Sequence, residues 1–381
     1  MNEQIPGLQQ PAEVRQAAPS PAPGPQPLPR KQVIQRALIL LVSVLLLAAV
    51  GGALYLLRTR ALAGEVARAR TLLGTNQGKE VIASLAEKYP DNAEIQFLHC
   101  QQLALTGGDV TAQAKLARAA ALGYPEDQIK RQGWIIAALT DFKKAQPALE
   151  ALLSADPDDR DVALSLALGY SHYNRLPKAE KLAGEILERN PNDGPALCLR
   201  GRLLLMANNP PRAAEDLKKA VALGKDTYYY FGARMLLGES MEALNDIPGA
   251  YAIYKECRAE QPENVKAIYR FGVCARSLGR LDEAMEAFQE ILKLRPDDVE
   301  PQLQVESIYL LQKQYSQALD ILKKVIAMYP EEPQALAEMA KIYKLMGDAE
   351  KASQFEKRHR DLIERMEKRR KTKAPPTAPD K

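Results

Sequence analysis

The longest uninterrupted apolar pattern in the chain is a run of 21 uncharged residues between Arg36 and Arg58. A helix there would be apolar on every side, whereas a helix that packs on a globular core keeps a polar stripe. At about 1.5 Å of rise per residue the helix would be about 31 Å long, which matches the hydrocarbon core of a bilayer. We therefore predict a transmembrane helix at residues 37–57. The alternative is a cleaved signal peptide, whose apolar core is usually shorter and nearer the N-terminus.

Beyond this run, helix-ending prolines recur in similar sequence contexts. Three of the intervals between successive prolines are 34 residues long, and the longer intervals are close to two such periods. A fixed period of this length indicates stacked helical hairpins. The prolines are Pro90, Pro157, Pro191, Pro262, Pro296 and Pro330.

Each repeat also carries an internal pattern of small and bulky residues. Small residues stand 24 and 12 positions before the proline, and a bulky one stands 8 positions before it. Glycine or alanine is needed where two helices approach closely, and a bulky residue fills the neighbouring groove. The pattern comprises Gly133, Ala145, Leu149 and Pro157; Ala167, Ala179, Ala183 and Pro191; Gly201, Ala213 and Leu217; Gly238, Ala250, Tyr254 and Pro262; Gly272, Ala284, Phe288 and Pro296; and Ala318 with Pro330.

The period and the pattern together resemble the tetratricopeptide repeat family, and residues 263–296 match its helix-turn-helix unit especially well. The resemblance covers about residues 59–355. It implies an all-α, right-handed superhelical solenoid of eight or nine hairpins, preceded by one transmembrane helix. Members of this family generally bind peptides or helices of partner proteins on a concave surface that is lined by the first helix of each hairpin.

The segments on either side of the repeats complete the predicted organisation. Alternating prolines at residues 19–29 favour an extended, solvated chain. We expect a proline-rich disordered tail at residues 1–36, the transmembrane helix at 37–57, the solenoid at 58–355, a basic capping helix at 356–371 and a disordered tail at 372–381. Residues 357–373 hold nine lysines or arginines against three acids, so binding to anionic lipid or nucleic acid is the alternative to a capping role.

Projecting the repeat onto the family pattern gives candidate groove residues. Arginine and aromatic side chains are common energetic anchors of interfaces. For each candidate, packing against a neighbouring helix is the alternative. The candidates are Trp134, Arg202, Tyr269, Arg270 and Arg276.

Composition and motifs indicate binding and not catalysis. The net charge is +4, from 52 basic and 48 acidic residues, so no overall field marks a charged polymer as the partner. The four cysteines include no CxxC pair, and only three histidines accompany them. We expect no metal site, no cofactor and no catalytic residue, and we expect protein or peptide partners in preference to nucleic acids or small molecules.

The predicted function is that of a membrane-anchored scaffold, not an enzyme, that assists assembly, secretion or envelope organisation. The alternative is a noncatalytic subunit of a membrane enzyme complex, such as one for polysaccharide synthesis or cytochrome maturation. Resemblance to anchored bacterial repeat proteins favours the bacterial inner membrane, with the repeats outside the cytoplasm. Basic residues flank the apolar run on both sides in nearly equal number, so the charges do not fix this orientation.

Overall fold

The computed structural model describes residues 30–373, so residues 1–29 and 374–381 of the two predicted tails lie outside the described residues. The described chain forms 18 α-helices and one isolated antiparallel bridge, between Thr75 and Thr227. The helices are α1 (Arg30–Thr71), α2 (Asn76–Lys88), α3 (Ala93–Leu105), α4 (Asp109–Ala121), α5 (Glu126–Thr140), α6 (Phe142–Ala155), α7 (Arg160–His172), α8 (Leu176–Arg189), α9 (Gly194–Met206), α10 (Pro210–Leu223), α11 (Tyr230–Ala243), α12 (Ile247–Glu260), α13 (Val265–Ser277), α14 (Leu281–Leu294), α15 (Val299–Leu311), α16 (Tyr315–Met328), α17 (Pro333–Leu345) and α18 (Ala349–Lys373).

Helix α1 contains the apolar run and is longer than the run itself. It begins at Arg30, inside the predicted tail, and continues past Arg58 to Thr71. Its apolar side chains from Leu41 to Leu57 are exposed to solvent, Leu47 by 72%. By length and composition, the part from Leu41 onward could cross a membrane. The chain up to Arg68 and the chain from Ala69 onward are two separate compact units.

The helices from α3 to α18 pair as eight consecutive hairpins, α3 with α4 through α17 with α18. Most of the turns inside these hairpins contain one residue with positive φ, where glycine and asparagine are the least strained residues. The turn from α15 to α16 instead places a lysine there, Lys313, with φ of 58°. The other residues are Gly107, Asn174, Asn208, Asn245, Gly279 and Gly347.

Four of the connections between hairpins combine the proline with an acidic or amide residue that caps the next helix, α7, α9, α13 or α17. Asp159 accepts a hydrogen bond from the Val162 amide at 3.2 Å. Such caps satisfy amides that have no partner inside the helix. Asp298 lies at the corresponding position before α15, but its side chain makes no cap hydrogen bond.

Close helix packing explains most of the small residues in the repeat. A Cβ atom added at Gly238 would lie 2.6 Å from the Tyr254 ring, and one added at Gly201 would lie 2.6 Å from Leu217. Gly272 faces Phe288 at 2.9 Å in the same way. Gly133 differs, because an added Cβ would meet only Leu116, at an ordinary contact distance of 3.7 Å.

Helix α18 is the second helix of the last hairpin and is longer than the second helices of the other hairpins. Phe355 stacks on Tyr343 of α17 with ring centroids 5.6 Å apart, and Leu362 is buried. Arg365 forms an ion pair of 3.1 Å with Glu331 at the preceding turn. The residues of the predicted capping helix, 356–371, thus belong to the same continuous helix as the second helix of the last hairpin, and their capping role stays a prediction.

Candidate partner-binding groove

We call the surface of the first helices of the hairpins the groove; these helices are α3, α5, α7, α9, α11, α13, α15 and α17. The candidate residues lie on three of these helices. Trp134 lies on α5 and Arg202 on α9, while Tyr269, Arg270 and Arg276 lie together on α13. The structure therefore brings three of the five candidates together and leaves the other two on separate helices.

Trp134 is a packing residue in part. It is half-buried and lies against the apolar core that α5, α7 and α9 share with their second helices. An indole in this position stabilises the stack of hairpins and leaves only part of its surface for a partner.

Arg270 is held by acidic side chains of the neighbouring first helix. Its Nη1 atom lies 3.0 Å from Glu242 Oε2. Lys266 pairs with Glu239 at 2.7 Å in the same contact between α11 and α13. The Arg270 charge is thus largely satisfied within the chain.

Tyr269 belongs to a hydrogen-bonded network between α13 and α15. Its hydroxyl donates to Glu300 Oε1 at 3.0 Å and accepts from Gln304 Nε2 at 3.1 Å. Burial, reinforced by the hydrogen bond to Glu300, raises the pKa of Tyr269 to about 12. The hydroxyl therefore stays protonated at neutral pH and is fixed in direction.

Arg202 and Arg276 are less completely partnered. Arg202 Nη2 donates to Ser171 Oγ at 3.3 Å, and Arg276 Nη1 donates to Ser307 Oγ at 2.6 Å. Among residues 30–373, no carboxylate lies within ion-pair distance of either guanidinium group, and Arg276 Nε has no hydrogen-bond partner. Burial lowers the pKa of Arg202. Each group keeps donors that an incoming acceptor could use.

A buried acid in the same region is not among the residues predicted from the sequence. Glu306 on α15 is 2% exposed, and its Oε1 atom has no hydrogen-bond partner in the described chain. Burial raises the pKa of Glu306 to about 7; Glu338 adds to the rise, and Lys341 and Arg276 oppose it. The repeat pattern contained the signal, because Glu306 stands 34 residues after Gly272 and 24 before Pro330, at a position otherwise occupied by glycine or alanine.

A loop at residues 224–229 changes the beginning of the groove, and we call it the strap. The Tyr228 amide donates to the Gly74 carbonyl oxygen, and the Asn76 amide donates to the Asp226 carbonyl oxygen, both at 2.9 Å. Gln102 of α3 accepts from the Gly74 amide at 2.8 Å and so holds the other side of this contact. The strap thus connects the turn before α2 to the start of α11.

Together with the first helices, the strap lines a cavity of about 380 Å³. We call α3, α5 and α7 with the strap the strapped segment, and α11, α13, α15 and α17 the open segment. The cavity wall is mainly apolar, with Leu73, Leu105, Ile135, Leu139, Leu164, Leu168 and Tyr228 among its residues.

The strapped segment contains two arginines that are fully engaged. Arg131 forms a bidentate pair with Asp159, at 2.6 and 2.5 Å. Arg160 forms another with Asp193, at 2.8 Å for both bonds. Bidentate pairs of this kind are the strongest arginine contacts in proteins and leave few donors unused.

No arrangement for nucleophilic or metal chemistry stands out in the described chain. Burial raises the pKa of Cys100, Cys198 and Cys274 to about 12, which keeps these thiols protonated at neutral pH. Residues 30–373 contain no cluster of three or more histidine, cysteine or acidic side chains placed to hold a metal ion.

Comparison with protein families defines the class of repeat. A tetratricopeptide repeat model matches residues 137–203, and a second one matches residues 198–265. The model of the middle TPR-like domain of cilia and flagella-associated protein 70 matches residues 235–363. The fold is thus that of a helical repeat protein.

Two known proteins are similar to this chain in sequence, at low identity. The chain is 20% identical over 258 residues to anaphase-promoting complex subunit 7 of Arabidopsis thaliana, covering 66% of this chain and 45% of the relative. It is 23% identical over 234 residues to cellulose synthase operon protein C of Pseudomonas fluorescens, covering 58% and 18%. The chain therefore spans less than half of the length of these relatives.

One solved structure supports the helical-repeat fold, and a second is similar over a shorter part of the chain. The structure of the Cut9–Hcn1 hetero-tetramer of the anaphase-promoting complex superposes with a TM-score of 0.52 at 14% identity, over 76% of this chain and 58% of that one. YrrB, a TPR protein with an unusual peptide-binding site, gives a TM-score of 0.44 at 21% identity, over 50% and 96%. The family matches and the helical hairpins together show that this chain carries tetratricopeptide repeats.

Proposed function

We propose that the chain is a membrane-anchored, noncatalytic scaffold that binds a protein or peptide along its groove and assists assembly, secretion or envelope organisation. The observation that carries the proposal is the set of incompletely partnered polar groups in the groove, Arg202 and Arg276 above all. Half-buried donors without a full set of acceptors cost stability and are expected where a partner supplies what is missing. In this proposal the hairpins form a right-handed superhelix with the groove on its concave side.

The partner is expected to use the open segment and the adjoining part of α9. The strap lines the cavity at the beginning of the groove together with α3, α5 and α7, and backbone hydrogen bonds to Gly74 and Asn76 hold it there. The open segment carries Tyr269 and Arg276, and Arg202 lies between the two segments. Trp134, on the strapped side, contributes mainly to packing in this account.

The membrane anchor is the second part of the proposal. The exposed apolar side chains of α1 support a span at residues 37–57. A tether of this kind raises the local concentration of partners at the same bilayer, so that the groove is occupied even when its affinity is low. We place the protein in a bacterial inner membrane with the repeats outside the cytoplasm. Protease digestion of the repeats in intact cells and in spheroplasts tests this orientation: protection in spheroplasts would exclude it.

The groove is tested by changing its two incompletely partnered arginines together. Partners would be recovered from solubilised membranes with the wild-type chain, with Arg202→Ala/Arg276→Ala and with Arg212→Ala, a matched change at an exposed arginine on α10. We expect the double variant to recover at least about tenfold less of the specific partners than the wild-type chain. Arg212→Ala should recover as much as the wild type. Equal recovery by all three proteins would overturn the proposed groove.

A second candidate is a noncatalytic subunit of a membrane enzyme complex, such as one for polysaccharide synthesis or cytochrome maturation. The similarity to cellulose synthase operon protein C favours the first of these. Co-purification of the chain with a glycosyltransferase activity that depends on the groove arginines would select this candidate over a general scaffold.

A further inference from the structure

The buried carboxylate of Glu306 occupies a position where the repeat elsewhere has a residue without a long side chain. In three of the other hairpins this position is Gly201, Gly238 or Gly272, and an added Cβ there would overlap the facing second helix. At Glu306 a full carboxylate is accommodated at 2% exposure, and Oε1 has no partner in the described chain. A buried carboxylate oxygen without a donor is costly in free energy.

The cations nearest to Glu306 make their hydrogen bonds and ion pairs with other residues, and Arg276 keeps one donor, Nε, without a partner in the described chain. Arg276 of α13 donates to Ser307 Oγ at 2.6 Å. Lys341 of α17 pairs with Glu338 at 2.9 Å. Neither forms an ion pair with Glu306, although both act on its charge. The chain thus positions a carboxylate between α13 and α17 without an ion pair to either of these cations.

We propose that Glu306 receives one basic side chain, a lysine or an arginine, from the partner segment that binds across α13, α15 and α17. This inference rests on the proposed function and names the chemistry of the partner at one point of the groove. A basic side chain supplies both the positive charge and the N–H donors that Oε1 lacks. An acidic partner residue at this point would face Glu306 and Glu338 together.

Proton binding and partner binding then compete at the same carboxylate. The charged groups that act on Glu306 are Arg276 from α13, and Glu338 and Lys341 from α17; the second helices α14 and α16 add none among the described residues. With these groups ionised, their charges and that of Glu306 sum to zero, so one more cation is admitted most easily when Glu306 is ionised. Affinity for a basic segment is therefore expected to rise with pH, from about pH 6 to about pH 8.

The test uses the full chain in detergent micelles and a phage-displayed library of random dodecapeptides as the probe. Selection at about pH 8 on the wild-type chain would be followed by binding of the selected peptides to Glu306→Gln. Asp320→Asn, at an exposed acid on the second helix α16, is the matched control. Circular dichroism would confirm that the variants keep the helical content of the wild type.

We expect selected peptides to share a lysine or arginine at one position and to bind Glu306→Gln at least about tenfold more weakly, with wild-type affinity for Asp320→Asn. The rise in affinity with pH should disappear in Glu306→Gln. Peptides that bind equally to Glu306→Gln, that share an acidic residue instead, or that weaken as pH rises would overturn the inference. A selection that yields no peptide dependent on Glu306 would do the same. Loss of binding on Arg202→Ala/Arg276→Ala but not on Glu306→Gln would leave the groove in place and reject only the role of Glu306.

Discussion

The strapped and open segments of the groove are built from the same hairpin but differ in how their polar groups are satisfied. In the strapped segment, Arg131 and Arg160 form bidentate pairs with carboxylates, and the strap adds backbone hydrogen bonds. In the open segment, Arg276 is bound to one serine and Glu306 Oε1 is unpartnered in the described chain.

The difference indicates a division of roles along one repeat array. Satisfied bidentate pairs fix the relative positions of helices and leave little for a partner to gain. Groups that are buried but incompletely partnered reduce stability, and they become favourable only when a partner completes them. We therefore interpret the strapped segment as structural and the open segment as the binding surface.

The largest expected effect is a change of stability with pH that is caused by the unpartnered carboxylate of Glu306. Because the pKa of Glu306 is raised from 4.5 to about 7, the folded chain holds a proton that the unfolded chain releases between these pH values. Wild-type stability should therefore fall as pH rises through this window, by on the order of 3 kcal/mol. The stability of Glu306→Gln should not decrease in this way as pH rises.

Urea unfolding at a series of pH values measures how the free energy of unfolding depends on pH. The proteins compared are the wild-type chain, Glu306→Gln and Asp320→Asn. Parallel pH profiles for the wild-type chain and Glu306→Gln would show that Glu306 titrates normally, and the proposed contrast between the segments would lose its main support.

The second prediction compares a glycine of the open segment, Gly238 on α11, with the matching glycine of the strapped segment, Gly133 on α5. Gly238→Ala places a Cβ against the Tyr254 ring and should lower the free energy of unfolding by about 2 kcal/mol. Gly133→Ala meets no such obstacle and should raise it by about 0.5 to 1 kcal/mol, because alanine favours the helix. Thermal unfolding of both variants measures these changes in stability. Changes of the same sign in the two variants would mean that the packing differs from that described.

The third prediction concerns the strap. Tyr228→Ala removes a large side chain that packs against Gly74 and should weaken the strap by about 1.4 kcal/mol, or tenfold in local opening. Hydrogen exchange at the Asn76 amide, which is bonded to Asp226, should then accelerate about tenfold. The Arg280 amide, bonded to Ala275 in the open segment, provides the unaffected reference. Unchanged exchange at Asn76 would show that Tyr228 does not hold the strap.

The smallest expected effect lies in a turn of the open segment. Lys313 has φ of 58°, and Lys313→Gly should stabilise the chain by about 0.5 kcal/mol by relieving the left-handed conformation. Asn245→Gly, at φ of 60°, should change stability less, because asparagine tolerates this region. Thermal unfolding distinguishes the two; a larger gain at Asn245 would contradict the strain assigned to Lys313.

The sequence predicted the features that depend on local or periodic signals. The interval from Pro262 to Pro296 and on to Pro330 indicated the hairpins, and the small residues facing Tyr254 and Phe288 indicated close packing. The same period would have revealed Glu306, since it falls on the position of Gly272 one repeat later.

Other features have no local signal. The strap depends on contacts between Gly74 and Tyr228, which lie far apart in sequence and meet only because the intervening hairpins stack. The ion pair of Arg270 with Glu242 likewise depends on the spacing of neighbouring first helices. Residue type and helix face predicted that Arg270 was a groove residue, but not that its charge was already satisfied.

Site-specific photo-crosslinking compares the two segments most directly. One crosslinkable residue would replace exposed Ser277, beside Arg276 on α13, and another would replace exposed Leu139, which lines the cavity of the strapped segment. Our account predicts that a specific partner is captured from position 277 in membranes and that Arg202→Ala/Arg276→Ala abolishes the capture, while position 139 captures none. Capture from position 139 but not from position 277 would contradict it and would make the strapped segment the binding surface.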